Sequence, residues 1–337
     1  MPKNLVLGQF PETRMRRTRQ FDWSRSLVAE THLSSRELIW SVFVRDGTLP
    51  HEVPTLPGVK RYTVDEIIDS VGKAYDAGVR AVALFPVLND EKKSDDALEC
   101  LNPEGLIPEA ARRLKKAFPD LGLISDVALD SYTSHGHDGL VKGDEVLNDE
   151  TINLLAKHAL VHADAGIDVI SPSDMLDGRI GAIRTLLDQK GYHNTLILSY
   201  AAKYASCLYG PFRDALGSRK KLGTKHKKSY QLDPRNVNEA IRETGLDIQE
   251  GADMVMVKPA LLYLDVLSKV KETFKVPTCA FHVSGEYAML KNAVHAGWLN
   301  YEQGLMEMLI ACKRAGADAI ITYGAVDAAK LLKDGYE

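Results

Sequence analysis

Four segments of the sequence repeat one pattern, in which a glycine is followed by a short apolar run. The repeats occupy residues 77–85, 165–170, 250–257 and 315–321. A glycine suits the left-handed position that ends a helix, and an apolar run after so short a connection is typical of a strand in a parallel sheet. Further apolar runs occupy residues 38–44, 121–129, 195–201 and 278–283. The sequence therefore predicts eight strands of one parallel sheet.

The stretches between these strands have the length and apolar spacing of helices, as at residues 64–76, 149–164 and 263–274. Eight strand–helix units predict an α/β fold of the (β/α)8 or TIM-barrel type. A doubly wound open sheet is the alternative, but no GxGxxG motif follows an early strand to support dinucleotide binding. We expect one catalytic barrel domain over residues 37–337. Residues 1–36 lie outside the repeat and are expected to form an N-terminal extended arm that makes oligomer contacts.

Composition excludes several classes of function. The chain has 337 residues, of which 45% are hydrophobic, enough for a large buried core. A formal net charge of -4 gives no reason to expect nucleic acid or an anionic membrane as a partner. No apolar stretch is long enough to span a bilayer, and the four cysteines lack CxxC spacing. These features favour a cytoplasmic protein with reduced thiols.

Two lysines stand at the ends of predicted strands. Lys203 ends the apolar run that starts at residue 195, and Lys258 ends the run that starts at residue 254. Partial desolvation there lowers the pKa of a lysine toward that of a neutral amine, which can form a Schiff base with a ketone. An isolated lysine of this kind is more often a side chain that reaches from a strand end to solvent. Two such lysines favour a pocket that holds two carbonyl substrates.

Polar residues follow the other predicted strands at the same end. They are Asp126, Asp130, Asp138, Ser173, Ser284 and Tyr323. The carboxyl ends of barrel strands are where barrel enzymes carry their active sites. The three aspartates could bind a metal ion or transfer protons beside the lysines, and the alternative for Asp138 is a solvated Asp-Gly turn.

A long connection follows the fifth predicted strand, over residues 204–234. Connections of this length often form active-site lids. It carries Phe212 and Arg213, and then a basic run that includes Lys227. Arg213 could bind a substrate carboxylate with two parallel hydrogen bonds. Most of the lysines in the run are expected to be solvated.

Long motifs resemble those of one enzyme family. The segment GADMVMVKPALLY at residues 251–263 resembles the signature of porphobilinogen synthase, also called δ-aminolevulinic acid dehydratase. The resemblance extends through LFPV, NPEG, SPSDM, AAKYAS, YGPFRD and VSGEYAM, which begin at residues 84, 102, 171, 201, 209 and 283. It implies a hydro-lyase that condenses two 5-aminolevulinate molecules to porphobilinogen, with loss of two waters, in tetrapyrrole biosynthesis. It also implies a homo-octamer in which the arm of one subunit wraps a neighbour.

The resemblance assigns roles to individual residues. Lys258 and Lys203 would form Schiff bases with the first and second substrate. Ser284 and Tyr323 would bind the first substrate carboxylate, and Arg213 and Lys227 the second, with Phe212 in the same substrate pocket. The candidates for proton transfer are Asp126, Asp130, Asp138 and Ser173.

The metal requirement also follows from the resemblance. Zinc-dependent members carry three cysteines in the loop after strand three, where this chain has Ala128, Asp130 and Asp138. Without thiolate ligands no zinc is expected, and no organic cofactor is implied. The chain is similar to the aspartate-rich, magnesium-responsive branch, in which Glu243 would bind an allosteric Mg²⁺. Without the resemblance, Glu243 reads as a surface helix residue.

Two departures from the family pattern affect the first substrate pocket. Phe281 stands where relatives often carry tyrosine, and residues 324–326 differ from the usual segment. Other function classes remain open from the residues alone. An idle barrel that serves as a scaffold would be expected to lose one of the lysines, and a class I aldolase would need only one lysine and usually a phosphate site.

Overall fold

The structure is a computed structural model that describes residues 8–217 and 226–336. Eight parallel strands pair in sequence order, and the last pairs with the first, so the sheet closes into a barrel. The barrel strands are β1 (Leu38–Arg45), β3 (Ala81–Val87), β4 (Gly122–Val127), β7 (Val169–Pro172), β8 (Leu196–Lys203), β9 (Met254–Lys258), β10 (Thr278–His282) and β11 (Ala319–Thr322). The predicted TIM barrel and its eight strands are confirmed.

Helices surround the barrel. They are α1 (Asp22–Leu27), α2 (Val64–Asp76), α3 (Leu106–Ala117), α4 (Asn148–Asp164), α5 (Arg179–Gln189), α6 (Gly210–Leu216), α7 (Asn238–Gln249), α8 (Leu264–Phe274), α9 (Ser284–His295), α10 (Tyr301–Arg314) and α11 (Ala325–Lys333). α2 shows why these segments become helices: Thr63 caps its first turn by accepting from the Glu66 amide, and one apolar face packs on the sheet.

Smaller elements lie in the loops. The two-residue strand β2 (Arg61–Tyr62) extends β1 on its outer side, and β5 (Val141–Lys142) forms a hairpin with β6 (Glu145–Val146). Short 3₁₀ helices occupy Met15–Arg19, Ser35–Glu37, Asp90–Lys92, Leu98–Leu101, Cys207–Tyr209 and Leu261–Tyr263. The helix α6 sits in the long connection after β8, close to the carboxyl ends of the strands.

Aromatic side chains occupy the barrel interior near its carboxyl end. The ring of Phe43 lies 6.1 Å from that of Phe85 and 5.8 Å from that of Tyr323. Phe281 lies 6.1 Å from Phe85 across the barrel. This apolar packing removes water from the region where the predicted site residues lie.

The described part of the predicted arm packs little of its apolar surface on its own barrel. Four of its large apolar residues are between 68% and 76% exposed, namely Phe10, Met15, Trp23 and Leu27. The boundary between arm and barrel at residue 36 stays a prediction. Among residues 8–217 and 226–336, no helix is both long and apolar enough to cross a membrane.

Candidate active site

The two predicted lysines are register partners. Lys203 ends β8 and Lys258 ends β9, and the two residues lie opposite each other in the parallel ladder. Register partners in a parallel sheet direct their side chains to the same face. Both side chains are buried, with 5% of each residue exposed, and both line one cavity inside the barrel.

Aromatic rings surround the amine of Lys258. Its Nζ lies 4.3 Å from the ring centre of Phe281, 4.8 Å from that of Tyr200, and 5.1 Å from that of Phe212. Burial, together with the positive charge of Lys203, lowers the pKa of Lys258 to about 7. Near neutral pH, a substantial fraction of Lys258 is therefore the neutral amine, which is the form that attacks a ketone.

Lys203 lies in more polar surroundings. Its Nζ donates a hydrogen bond to the backbone carbonyl of Ser173 and lies 3.6 Å from Asp138 Oδ1. The Ser173 side chain is buried and lines the same cavity. The two lysines thus have different surroundings, since Lys258 lies against aromatic rings and Lys203 lies near a carboxylate.

A buried ion cluster lies beside Lys203. Lys227 Nζ lies 2.9 Å from Asp130 Oδ2 and 2.8 Å from Asp138 Oδ2. Burial alone would raise the pKa of Asp138, but the charges of Lys203 and Lys227 outweigh it and lower that pKa to about 2. Burial likewise opposes the charge on Lys227, and the two aspartates raise its pKa above the usual value. Asp138 is therefore a fixed negative charge rather than a proton donor.

Asp126 has the opposite properties. Its carboxyl at the end of β4 is 7% exposed. Burial and the negative charge of Asp130 raise its pKa to about 6, although both active-site lysines act against that rise. A buried carboxyl whose pKa is raised toward neutrality suits general acid–base catalysis.

The helix α6 covers Lys258. It carries Phe212 and Arg213, which both line the cavity. The Phe212 amide donates to Ser284 Oγ at 3.0 Å, and Ser284 Oγ donates to the Leu208 carbonyl at 3.3 Å. Gly285 allows this close approach, because a Cβ at that position would collide with the Leu208 backbone. Ser284, the first residue of α9, therefore attaches α6 and the turn before it to the barrel.

The cavity that these residues enclose is small, about 20 Å³. That volume holds about one water molecule, so a substrate must displace side chains. Tyr323, at the end of β11, is buried in the barrel interior beside Ser41. Arg219, Lys220, Lys221 and Lys225 of the predicted lid lie outside the described residues.

Glu243 lies apart from the lysines, on α7. Its Oε1 accepts from Arg179 Nη1 at 3.3 Å, and it lines a separate cavity of about 970 Å³. Within the described parts of the chain, no group of three or more His, Cys, Asp or Glu side chains is arranged to hold a metal ion. The predicted metal site is thus a single carboxylate on an ion-paired network.

The structure also identifies residues that the sequence analysis missed. Arg179 is fully buried and binds Asp247, with Nη2 to Oδ2 at 3.0 Å, as well as Glu243. Tyr230 places its hydroxyl 3.1 Å from His137 Nδ1 and so supports the loop that carries Asp138. No local pattern announces either residue, because their partners lie 64 to 93 positions away in the chain.

A (β/α)8 barrel with two buried, in-register lysines at the carboxyl ends of neighbouring strands is the arrangement expected of a barrel enzyme that forms Schiff bases with carbonyl substrates. The family profile described as delta-aminolevulinic acid dehydratase matches residues 12–331. The chain belongs to this family.

Individual relatives agree with the family assignment. A delta-aminolevulinic acid dehydratase from Bradyrhizobium diazoefficiens is 49% identical over 95% of this chain and 91% of its own length. One from Chlamydia pneumoniae is 49% identical over 96% of this chain and 97% of its own length. The solved Toxoplasma gondii enzyme, in complex with the product porphobilinogen, has a TM-score of 0.93 at 48% identity and covers 96% of this chain and 92% of its own. The roles of single residues stay predictions.

Proposed function

We propose that this chain is a porphobilinogen synthase, which condenses two molecules of 5-aminolevulinate to porphobilinogen and two waters. The observation that carries this is the register pair Lys203 and Lys258 inside one cavity. Each amine attacks one ketone, and its oxygen leaves as water when the imine forms. Two substrates held side by side react in a nearly unimolecular step.

The surrounding side chains suit the proton transfers that follow. An iminium at Lys258 acidifies the neighbouring C–H bonds, and Asp126 is ionised above its pKa of about 6 and can accept the proton. Asp138 stays ionised and stabilises positive charge at Lys203. We assign Ser173 and Asp130 to the same machinery, because both line the cavity.

The substrate carboxylates would be held at the rim. Arg213 on α6 and Lys227 are proposed for one carboxylate, and Ser284 and Tyr323 for the other. Lys227 now pairs with Asp130 and Asp138, so it must exchange a partner when substrate binds. Phe212 would close the pocket between the two groups.

The test is turnover of 5-aminolevulinate, measured as pyrrole product. We expect Lys203→Ala and Lys258→Ala each to lower kcat by more than about a thousandfold, because each removes one covalent intermediate. The exposed Lys116→Ala serves as the control and should keep full activity. Reduction with borohydride in the presence of labelled substrate should label Lys258. If the wild-type protein releases no pyrrole, or if neither lysine is labelled, the proposal is wrong.

We further propose that Glu243 binds an activating Mg²⁺. Acidic residues outnumber the two lysines that line its cavity, and they include Asp144, Glu145, Asp177 and Glu239. A hydrated Mg²⁺ held by one or two carboxylates suits such an acidic cavity of about 970 Å³. Burial raises the pKa of Glu243, although Arg179 opposes that rise. No zinc and no organic cofactor enter the proposed reaction.

The connection from Glu243 to the active site would run through Arg179. Its Nε lies 3.8 Å from Asp174 Oδ2, and Asp174 follows Ser173, whose carbonyl accepts from Lys203. A cation bound at Glu243 would compete with Arg179 for the carboxylate. The interaction between Arg179 and Asp174 would then change. Metal binding and catalysis would then be linked.

Removal and replacement of metal test this link. We expect activity to fall after treatment with EDTA and to recover with Mg²⁺, and Glu243→Gln to abolish the recovery. Glu302→Gln, a change on the first turn of α10, is the control. A Glu243→Gln protein that responds to Mg²⁺ like the parent would exclude this ligand, and stoichiometric zinc in active protein would contradict the zinc-free reaction.

The assembly and the compartment are also proposals. We infer a homo-octamer in the cytoplasm, with the arm of one subunit on a neighbour. The apolar side chains that the arm exposes and the four free cysteines support this reading.

A further inference from the structure

The carboxyl end of α6 is held by two cations from other parts of the barrel. Arg61 Nε donates to the Ala215 carbonyl at 2.8 Å, and Arg61 Nη2 donates to the Asp214 carbonyl at 3.2 Å. Lys93 Nζ donates to the Leu216 carbonyl at 3.3 Å. These are among the last carbonyls of the helix, a region where the intrahelical ladder supplies few amide donors. The Asp214 carbonyl also accepts from the Gly217 amide at 3.2 Å.

Such contacts matter for a helix as short as α6. A helix of seven residues is too short to be stable by itself, so its position depends on what it is attached to. Cations at the carboxyl end also interact favourably with the helix dipole. Nearer its start, the Phe212 amide of α6 donates to Ser284 Oγ. Among the described residues, Arg61 makes two of the three side-chain hydrogen bonds to the carbonyls at the end away from Ser284, and Lys93 makes the third.

Arg61 is itself rigidly placed. It belongs to β2, is 9% exposed, and also donates to the carbonyls of Pro50 and Glu52 at 3.0 and 3.1 Å. Its own carbonyl accepts from Arg45 Nε at 3.2 Å. One guanidinium thus joins the loop after β1 to α6 through four carbonyls. A lysine has a single nitrogen and cannot reproduce this fork.

We propose that Arg61 is a positioning residue for the reaction, which holds α6 so that Phe212 covers Lys258 and Arg213 faces the substrate cavity. This inference rests on the proposed function of that cavity. Phe212 packs against Phe43 and Phe85, with ring centres 5.6 and 5.3 Å away, so a shift of α6 opens an apolar wall. Water then reaches Lys258, and Arg213 loses its fixed position.

The experiment compares Arg61→Met and Arg61→Lys with the wild-type protein. The control is Arg112→Met, because Arg112 on the surface of α3 likewise donates to a backbone carbonyl, that of Pro103, and its other partner is the carboxylate of Glu104. Steady-state kinetics gives KM and kcat for 5-aminolevulinate. Trapping with 4-oxopentanoate, a keto acid without the amino group, and cyanoborohydride gives the pH midpoint for labelling Lys258, read by peptide mass spectrometry.

We expect Arg61→Met to raise KM by about tenfold and to lower kcat less, since Arg213 contributes to binding. The labelling midpoint should rise by about one pH unit, because the amine regains water. Arg61→Lys should lie between the wild type and Arg61→Met in both measurements, and Arg112→Met should match the wild type.

Two results would overturn the proposal. One is an Arg61→Met protein with wild-type KM and labelling midpoint. The other is a loss of activity that matches the loss of folded protein in both Arg61 variants, while the pH midpoint for labelling Lys258 stays unchanged in both. A wild-type protein that makes no pyrrole contradicts the proposed function, and the labelling midpoint then decides the role of Arg61 alone. If Lys258 of the wild type is not labelled at all, both proposals are wrong.

Discussion

At the scale of single residues, the two neighbouring lysines of the pocket have different surroundings. Lys258 is surrounded by rings, whereas Lys203 has a carboxylate at 3.6 Å. Burial and the neighbouring Lys203 lower the pKa of Lys258 and so leave it closer to the neutral amine. The pocket thus prepares Lys258 as a nucleophile by excluding solvent, and it places a carboxylate beside Lys203.

This asymmetry predicts a pH dependence. The pKa of Lys258 lies below that of an ordinary lysine, so its amine is neutral above about pH 7 and protonated below it. Trapping of a keto acid at Lys258 should therefore be slow at low pH and rise through about pH 7. Asp126 acts to raise the pKa of Lys258, so Asp126→Asn should move the labelling midpoint to lower pH. A midpoint that stays near the value for free lysine would contradict the burial argument.

At the scale of elements, Arg179 joins parts of three units of the barrel. It begins α5, and it binds Ser199 on β8 and Asp247 on α7. A buried guanidinium of this kind is needed chiefly because the carboxylates around it are buried too. Removal of Arg179 would therefore disturb the strand that ends at Lys203 and the helices beside it.

We expect Arg179→Met to lower the free energy of unfolding by about 3–5 kcal/mol, since it leaves a buried carboxylate without its partner. Denaturation in urea measures this loss. The double variant Arg179→Met/Asp247→Asn should recover part of it, because the orphaned charge is gone. A single variant as stable as the double variant and the wild type would show that the network contributes little.

At the scale of the whole molecule, the described part of the N-terminal arm leaves large apolar side chains exposed in the single chain. Trp23 and Leu27 are 68% and 76% exposed, and a second apolar region lies around Trp298, which is 80% exposed. Apolar side chains at this exposure favour association with other copies.

Deletion of residues 1–36 should therefore reduce the size of the oligomer in solution, measured by light scattering after gel filtration. If Mg²⁺ binding at Glu243 favours the larger assembly, the same deletion should weaken activation by Mg²⁺. Retention of both the native size and the Mg²⁺ response in the truncated protein would show that the arm has no such role.

Much of this architecture could be predicted from the sequence. The repeated glycine and apolar run determine where strands begin, and the α2 prediction over residues 64–76 matches the helix Val64–Asp76. Lys203 and Lys258 were predicted as site residues because a polar residue at the end of an apolar run is visible locally. Local spacing reports burial and backbone conformation, and those properties were sufficient for the barrel.

Only the tertiary structure decided which side chains meet. The pairing of Lys203 with Lys258 depends on the register between β8 and β9, which includes an irregularity between Ser199 and Ala202. Arg61 contacts carbonyls 153 and 154 positions away, and nothing in its local sequence distinguishes it from a surface arginine. The sequence by itself determined the elements and the chemistry at their ends, because both follow from neighbouring residues. Closure of the barrel determined the partners, because it alone brings distant strand ends and loops together.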